Sequence, residues 1–443
     1  MSRLRRITKA VGKSWLWVVM LWSYGGAAEI LTLDLQKGLE LARQNNEILL
    51  QAHLDKASSR EVYRQARAAG LPQLSASLNY SRNWLLPSFV FAGNAVKIGT
   101  ENNIAGNLNL RQRLYAGGGV RAAIDMARHQ MAISGQSERE QRQLVDAAVE
   151  EQYYGYLLAR ELLKVAHLAV ARARSNHDQV LARARAGRAS QFDQLRAQVQ
   201  VSSMRVDSIR AENNLRLAQM AFKDVVGLAL DRPVAIQGVF RSATVLDLSD
   251  LDALLKQGIA RRPELARLEH QVDWQQRGVA VERAAKRPSL EFVATGQTQF
   301  QSDAFDLGNR EWRKSWNTGL VLAIPLFDGQ LTGARVAQAQ QEVKRAEYDR
   351  QRLERAVRLE IQQAYYDVQE AGERIAANRD AVHQAEKGLD IAESRYGRGG
   401  GTQLEILDAQ LALMQSQTEN ATALRDRALA LMRLERAVGI LGE

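Results

Sequence analysis

The strongest constraint on the fold is an internal repeat, because the second half of the sequence repeats the pattern of the first half. Tyr153 and Tyr154 recur as Tyr365 and Tyr366, which gives an offset of 365 − 153 = 212 residues. The same offset links three more pairs of segments: Leu114-Tyr115 with Leu326-Phe327, Ala197-Gln198 with Ala409-Gln410, and Val226-Gly227 with Val438-Gly439. One offset that holds through unlike local contexts indicates a duplication, so the fold must contain two similar halves.

Each half repeats one order of predicted elements. Residues 35–69 and 250–286 predict helices, and a proline and two alternating stretches follow each of them. One face of these stretches is mostly apolar: it holds Leu74, Ala76, Leu78 and Tyr80 in the first half, and Trp316, Thr318, Leu320, Leu322, Ile324 and Leu326 in the second. Four strands of about ten residues are predicted, long enough to cross a bilayer when tilted. A soluble antiparallel sheet alternates equally well, so the strands alone leave both environments open.

A long helix and a shorter return helix follow the strands in each half. The long helices are predicted over 118–175 and 331–395, and the return helices over 189–227 and 403–438. At ~1.5 Å per residue the long helices are rods of roughly 85 to 100 Å. Paired helices of this length pack as antiparallel coiled coils, so each half is expected to contain a helical hairpin.

Glycines mark the tips of both helical hairpins. The first tip reads RARAGRASQFD and the second reads SRYGRGGGTQLEILD. Glycine favours the positive φ that commonly ends a helix, and Ser190 and Thr402, which the repeat equates, are suitable N-caps for the return helices. Two acids, Glu405 and Asp408, follow the second tip at a spacing of i, i+3. From spacing alone they are ordinary acids in a first helical turn, where a carboxylate favours the helix dipole.

The N-terminal segment has the layout of a secretory signal peptide. Basic residues precede a short apolar run from Trp15 to Trp22, and small residues that include Gly26 and Ala28 follow it. The run is too short to span a bilayer, so we expect a signal peptide over 1–28; the alternative is an uncleaved amphipathic anchor. Cysteine is absent, which excludes disulfides, a cysteine nucleophile and a lipid-modified cysteine.

Composition and motifs argue against several classes of site. The net charge of +10 is dispersed among acidic residues along helical segments, which favours solvated helix faces over a nucleic-acid surface. The run GRGGGT follows a helix and lacks the Gly-Lys-Ser/Thr ending of a phosphate-binding loop. The six histidines are scattered, with no i, i+4 pair. We therefore predict no metal, no cofactor and no catalytic residues.

The order of these features resembles the outer-membrane efflux protein family, the TolC-like channel-tunnels. The resemblance covers about 29–443, and its most specific segment is RYGRGGGTQLEILDAQ at 395–410, which is similar to the family's Tyr-x-x-Gly tip with an acid and Leu-Asp-Ala beyond it. PLFDG at 325–329 matches the strand-to-helix junction, and LPQL at 71–74 matches the segment before the first strand.

The resemblance implies a mainly α fold with a membrane β-barrel. Each chain would supply four transmembrane strands, and a homotrimer would close a 12-stranded barrel (4 × 3 = 12) in outer-membrane lipid. A long coiled-coil α-helical barrel would continue it through the periplasm. The resemblance further implies a passive conduit, not an enzyme, in a tripartite efflux or type I secretion system. Its partners would be a periplasmic adaptor (membrane fusion) protein and an inner-membrane pump of the RND or ABC type.

The resemblance also implies a role for the acids at the second tip. Glu405 and Asp408 would face the pore at the periplasmic aperture. Threefold symmetry would make them two stacked rings, which favour cations and repel anions. A hydrogen bond between Tyr396 and Asp193 would help to hold this aperture shut.

The resemblance also implies roles for other residues at the two tips. A linking arginine is expected where this chain has Gly401, and either Arg398 or Arg188 is the candidate replacement. The exposed loops at the two tips would contact the adaptor: Gly187, Arg188 and Ala189 at the first, and Gly399, Gly400 and Gly401 at the second.

These expectations divide the chain into a signal peptide and two repeats, 29–232 and 233–443. The first repeat would contain a β-hairpin at 73–115 and a helical tip near 185–190, and the second a β-hairpin at 289–327 and a tip near 396–402. The alternative is a secreted or periplasmic coiled-coil scaffold without channel activity. It explains the helices and the charge, but not two hairpins placed identically in the two repeats.

Overall fold

The computed structural model describes residues 31–244, 246–304 and 311–442, and the expected signal peptide at 1–28 lies outside them. The first half contains β1 (Leu31–Leu33), α1 (Leu35–Asn45), α2 (Glu47–Ala68), β2 (Gln73–Arg82), β3 (Ser88–Phe91), β4 (Asn94–Lys97), β5 (Asn102–Ala116), α3 (Gly119–Arg185) and α4 (Gln191–Val226). The second half contains β6 (Val234–Ile236), α5 (Leu251–Arg261), α6 (Pro263–Ala284), β7 (Ser289–Ser302), β8 (Arg313–Ala323), α7 (Leu331–Gly397) and α8 (Gln403–Val438).

The helices of the two halves match in length and spacing. Both α3 and α7 have 67 residues, and both α4 and α8 have 36. Their starting residues differ by 331 − 119 = 212 and 403 − 191 = 212. The starts of α1 and α5 differ by 251 − 35 = 216, so a gap of four residues lies in the strand region. The duplication in the sequence is therefore a duplication of the structure.

Four strands form one antiparallel sheet in the order β2-β5-β7-β8. One row of paired positions across this sheet consists of Ala76, Leu108, Gly296 and Trp316. The next row consists of Ser77, Asn107, Gln297 and Ser315. Because successive side chains of a strand point to opposite faces, one face is apolar and the other is lined by hydroxyl and amide groups.

The apolar face of the sheet is open in the single chain. The side chains of Leu78 and Trp316 are 77% and 80% exposed. The terminal strands β2 and β8 each pair on one side only within the described sheet, so each leaves a row of backbone groups free to pair. Both features require something beyond one chain to cover them.

The helices form two hairpins that pack together. Helix α3 contacts α4, α7 contacts α8, and α3 also contacts α8 across the repeats. One core cluster joins the first repeat to α8 around the fully buried Tyr154, Leu157 and Phe222. A second cluster, around Ile361 and Leu434, joins α5 and α6 to α7 and α8. Within the described ranges, no helix is both long and apolar enough to cross a membrane.

The structure corrects several predicted helix boundaries. The helix predicted over 35–69 is broken at Asn46, whose side chain accepts a hydrogen bond from the Ile48 backbone N–H (3.0 Å) and so caps α2. The helix predicted over 250–286 is broken at Arg262, because Pro263 has no N–H to donate. The first long helix does not end at residue 175 but runs to Arg185.

The structure also adds strands that the sequence does not predict. β1 and β6 form a short parallel pair, and β3 and β4 form a hairpin within the predicted outer loop at 82–103. Three or four residues are too few to show an alternating pattern, and a parallel pair joins segments that are far apart in sequence.

Candidate functional site at the helical tips

The first tip is a tight helix-to-helix turn built on one glycine. Gly187 has φ +72°, and its N–H donates to the Ala184 carbonyl (2.9 Å) while the Arg188 N–H donates to the Arg183 carbonyl (2.8 Å). Ser190 then starts α4, since its Oγ accepts a hydrogen bond from the Asp193 backbone N–H (3.0 Å). These bonds satisfy backbone groups that the two helix ends would leave unpaired.

The second tip repeats this construction with more glycine. Gly399 has φ +85°, and its N–H donates to the Tyr396 carbonyl (3.1 Å). The Gly400 N–H donates to the Arg395 carbonyl (3.0 Å). Thr402 caps α8 by accepting a hydrogen bond from the Glu405 backbone N–H (3.3 Å). The predicted N-caps, Ser190 and Thr402, both occupy that position.

A close backbone approach requires glycine at position 401. A Cβ atom built at Gly401 would lie 2.9 Å from the Tyr396 backbone nitrogen and 3.2 Å from the Arg395 carbonyl carbon. Cβ atoms essentially never come so close to backbone, so an arginine at this position would force the turn to open. The turn in this structure thus leaves no room for a side chain at position 401.

Arg183, near the first tip, contacts two residues of the second tip. Its guanidinium carbon lies 4.0 Å from the ring centroid of the buried Tyr396, and its Nη2 donates to the Gly397 carbonyl (2.8 Å). Arg395, the equivalent residue of the second repeat (395 − 183 = 212), donates to the Gly400 carbonyl (3.3 Å). The sequence analysis missed both arginines, although the repeat offset relates them.

Asp193 and Glu405 are also equivalent (405 − 193 = 212) but bond differently. Asp193 Oδ2 accepts hydrogen bonds from the Ser190 backbone nitrogen (3.1 Å) and Oγ (2.7 Å), which completes a capping box. Glu405 Oε2 instead lies 3.8 Å from Arg395 Nη1. Tyr396 faces Arg183 in this structure. Among the described residues it is therefore not paired with Asp193 of the same chain.

The two acids of the second tip differ in exposure. Glu405 is half-buried at the edge of α8, and Asp408 lies on the open face of that helix with Leu404 and Leu411. The opposite face packs inward through Ile406 and its buried neighbours. Within one chain, the open face of α8 beside the tip is therefore free to line a passage.

The candidate gate arginines have different surroundings. Arg398 folds back on its own helix, where Nη2 donates to Ser394 Oγ (2.9 Å) and Nε donates to the Ser394 carbonyl (3.3 Å). Arg188 is exposed at the end of the first tip. Both side chains are exposed, and the guanidinium group of Arg398 is held by these two bonds.

A small apolar cluster fixes the tips to each other. Val180 and Ala197 of the first hairpin pack with residues of the second hairpin: Leu389, Ala392, Tyr396, Ile406 and Leu413. The exposed tip residues Gly187, Arg188, Gly399 and Gly400 lie beyond this cluster, with Ala189 and Gly401 half-buried beside them. Both loops are therefore presented at one end of a packed pair of hairpins.

Comparison with known proteins gives a consistent result. The sequence model of the family described as "Outer membrane efflux protein" matches residues 38–228 and 254–440. The second matched segment starts 254 − 38 = 216 residues after the first and ends 440 − 228 = 212 after it, so the match falls once on each repeat.

Individual proteins match over most of the chain. The alkaline protease secretion protein AprF of Pseudomonas aeruginosa is 26% identical and aligns with 96% of this chain and 89% of that protein. The outer membrane protein TolC of Escherichia coli K12 is 22% identical, with 93% and 83% covered. Among solved structures, a membrane protein from Pseudomonas aeruginosa has a TM-score of 0.79 at 23% identity, covering 91% of this chain and 93% of that one. A crystal structure of CusC has a TM-score of 0.78 at 20% identity, covering 95% of both chains.

Proposed function

The chain belongs to the outer membrane efflux protein family, and on that basis we infer that it is the outer-membrane channel component of a tripartite efflux or type I secretion system. It lies in the outer membrane and extends its helical part into the periplasm. The family is one of transport channels rather than enzymes, and we assign the chain a passive role as a conduit with no catalytic step.

The two-faced sheet is the observation that carries this proposal. An apolar face suits lipid, and a face of serine, asparagine and glutamine suits a water-filled lumen. A four-stranded sheet with two unpaired edges is untenable in lipid, where every backbone group needs a partner. Pairing β8 of one chain with β2 of the next in a homotrimer removes both edges and gives 4 × 3 = 12 strands. Three chains are thus proposed to close one barrel.

The long helices are proposed to form the wall of the periplasmic passage. Helices α3 and α7, of 67 residues each, extend about 100 Å from the sheet at ~1.5 Å per residue. Their tips would contact a periplasmic adaptor protein, and through it an inner-membrane pump of the RND or ABC type. The loops at Gly187-Arg188-Ala189 and Gly399-Gly400-Gly401 are suited to this contact, since their backbone is little covered by side chains.

The aperture is proposed to lie at the same end. The open face of α8 carries Asp408, and Glu405 lies at its edge, so three copies about an axis would present two acidic rings to the passage. Tyr396 and Asp193 remain the proposed gate pair, formed when neighbouring helices of the closed aperture meet. Arg188 is favoured over Arg398 as the linking arginine, because Arg398 is bonded to Ser394.

Channel recordings test this function directly. Detergent-extracted protein in a planar lipid bilayer, under two opposed salt gradients, should give small, long-lived openings that prefer cations. Glu405→Gln together with Asp408→Asn should reduce the cation preference and weaken block by multivalent cations. Glu347→Gln removes one negative charge at an exposed acid near the sheet end of α7, far from the tips, and should leave selectivity unchanged.

Two results would contradict the proposal at different levels. Unchanged selectivity in the double variant removes Glu405 and Asp408 from the pore but leaves the channel. Protein that extracts without detergent, shows no conductance and behaves as an elongated rod would instead establish the coiled-coil scaffold.

A further inference from the structure

Three metal-ligating side chains meet between α3 and α6. His129 comes from α3, and His270 and Asp273 come from α6. One potential ligand atom from each lies within 4.8 Å of the other two, and His129 Nδ1 is 3.7 Å from Asp273 Oδ2. The sequence predicts no metal site because these histidines are far apart along the chain; packing of α3 on α6 brings them together.

Hydrogen bonds among the described residues do not explain why these three side chains are grouped. A separation of 3.7 Å between His129 Nδ1 and Asp273 Oδ2 is too long for a hydrogen bond. His270 Nδ1 is buried and has no hydrogen-bond partner among the residues that the structure describes. Buried polar atoms are nearly always paired, so an unpaired one beside two other ligand groups is the arrangement expected of a metal-binding site.

The chemistry and spacing suit one class of ion. Two imidazoles and a carboxylate form the three-ligand set that holds Zn²⁺, with a fourth position left to water. A tetrahedral Zn²⁺ places its ligand atoms about 3.4 Å apart, so side-chain movements of about 1 Å would close the site. The Asp273 side chain is 44% exposed, which gives the ion a path from solvent and room for the fourth ligand.

The neighbouring charges permit a cation. Arg267, one turn before His270 on α6, is bonded to Glu140 of α3 (3.1 Å). Asp125, one turn before His129, is 3.4 Å from Arg128. Both basic side chains are thus already paired with a carboxylate, while Asp273 keeps a negative charge to offset that of the ion.

We propose that His129, His270 and Asp273 form a binding site for Zn²⁺ or a similar divalent transition-metal ion. His129 lies ten residues after the start of α3 (129 − 119 = 10), about 15 Å below the sheet. The site joins α3 of the first repeat to α6 of the second. A bound ion would fasten the two repeats just below the membrane part of the chain.

Zinc binding by the full chain tests the proposal. Detergent-extracted protein, stripped with a chelator, is titrated with Zn²⁺ in competition with a chromophoric chelator. We expect one high-affinity Zn²⁺ per chain, weakened ~100-fold or more in His129→Asn and in His270→Asn, since even outer-shell partners alter metal affinity by 10–100-fold. His383→Asn, which changes an exposed histidine elsewhere on α7, should bind as the wild type does.

Asp273→Asn tests the same site without disturbing the packing of the core, because the Asp273 side chain is half-exposed. It therefore keeps the test valid if a histidine variant fails to fold. It should weaken Zn²⁺ binding and abolish the rise in melting temperature that Zn²⁺ gives the wild type. Co²⁺ bound to the wild type should show the intense visible absorption of a four-coordinate ion. Equal Zn²⁺ affinity in the wild type, His129→Asn and Asp273→Asn would overturn the site, as would an equal loss in His383→Asn.

Discussion

The guanidinium group of Arg183 stacks on the ring of Tyr396, with 4.0 Å between the guanidinium carbon and the ring centroid. The same group donates a hydrogen bond to the Gly397 carbonyl (2.8 Å), where α7 ends. Arg183 belongs to the first repeat and Tyr396 to the second, so this side chain joins the two helical hairpins at their tips, in addition to the apolar cluster that contains Tyr396. Opening an aperture by separating these hairpins must break both contacts.

Removing this side chain should loosen the tips. Arg183→Ala deletes a cation–π contact and a hydrogen bond from a charged donor, together about 1–2 kcal/mol at this partly exposed position. We expect about a tenfold rise in the ratio of open to closed channels, because 1.4 kcal/mol is tenfold in an equilibrium constant. Single-channel recordings of open probability measure it.

Arg185→Ala is the matched control for this experiment. Arg185 lies two residues along the same helix and is exposed at its end. The substitution removes the same positive charge without changing the contact with Tyr396, so the open probability of this variant should equal that of the wild type. Equal effects of the two substitutions would show that net charge at the tip, rather than the Arg183 contacts, sets the opening.

Arginine at position 401 should disrupt the second tip rather than strengthen it. A Cβ atom there meets the Tyr396 backbone nitrogen at 2.9 Å, and overpacking of this kind costs about 1–3 kcal/mol. Gly401→Arg and Gly401→Ala should both speed hydrogen exchange and proteolysis of the turn. Gly397→Ala provides the contrast, since a Cβ atom there meets nothing within 4 Å and alanine favours the helix. Slower exchange in Gly401→Arg than in the wild type would contradict this view of the turn.

Glu150, buried in α3, should make stability depend on pH. Burial raises the pKa of Glu150 from 4.5 to about 7; Glu435 and Asp146 add to this shift and Arg241 opposes it. Between these two values the folded chain keeps a proton that the unfolded chain releases, so the free energy of unfolding falls as pH rises. The loss reaches ~3 kcal/mol above the folded pKa.

Glu150→Gln should abolish this part of the pH dependence. The melting temperature of the wild type relative to that of Glu150→Gln should fall between about pH 5 and about pH 8. Glu151→Gln alters the adjacent, exposed acid and should follow the wild type at both values. If the difference between the wild type and Glu150→Gln stays constant with pH, Glu150 does not hold its proton in the folded chain.

The regular parts of this fold could be predicted from the sequence because they repeat and because they are long. The 212-residue offset follows from comparing the chain with itself, and the bounds of α8 and the mostly apolar face through Leu74 and Leu78 follow from local periodicity. The break at Asn46 was missed although its capping bond to the Ile48 N–H is local; the same side chain also donates to the Val225 carbonyl (3.0 Å) far along the chain, and no local pattern records that bond. The β1 and β6 strands, likewise, exist only as a pair.

At the tips, too, contacts between residues near in sequence could be predicted, whereas contacts between distant residues could not. Ser190 and Thr402 were predictable as caps because a cap acts within three residues. The stacking of Arg183 on Tyr396 joins two repeats, and no local pattern records it. The repeat offset alone related Arg183 to Arg395, and it could have singled both out beside the helix ends. The cluster at His129 and His270 required the packing of α3 on α6.

The two faces of the sheet should respond in opposite ways to charge. Leu78 lies on the apolar face and is 77% exposed in the single chain, whereas its neighbour Ser77 lies on the polar face. A basic residue facing lipid at the bilayer midplane costs about 2–4 kcal/mol, and one facing a lumen costs little. Leu78→Lys should therefore reduce the amount of protein assembled in the outer membrane, measured by membrane fractionation, while Ser77→Lys should assemble normally. Because both substitutions fall in the middle of β2 and add the same side chain, the change in net charge is the same in both. The opposite ranking would mean that the sheet faces lipid with its serine and asparagine side, and it would invert the barrel proposed above.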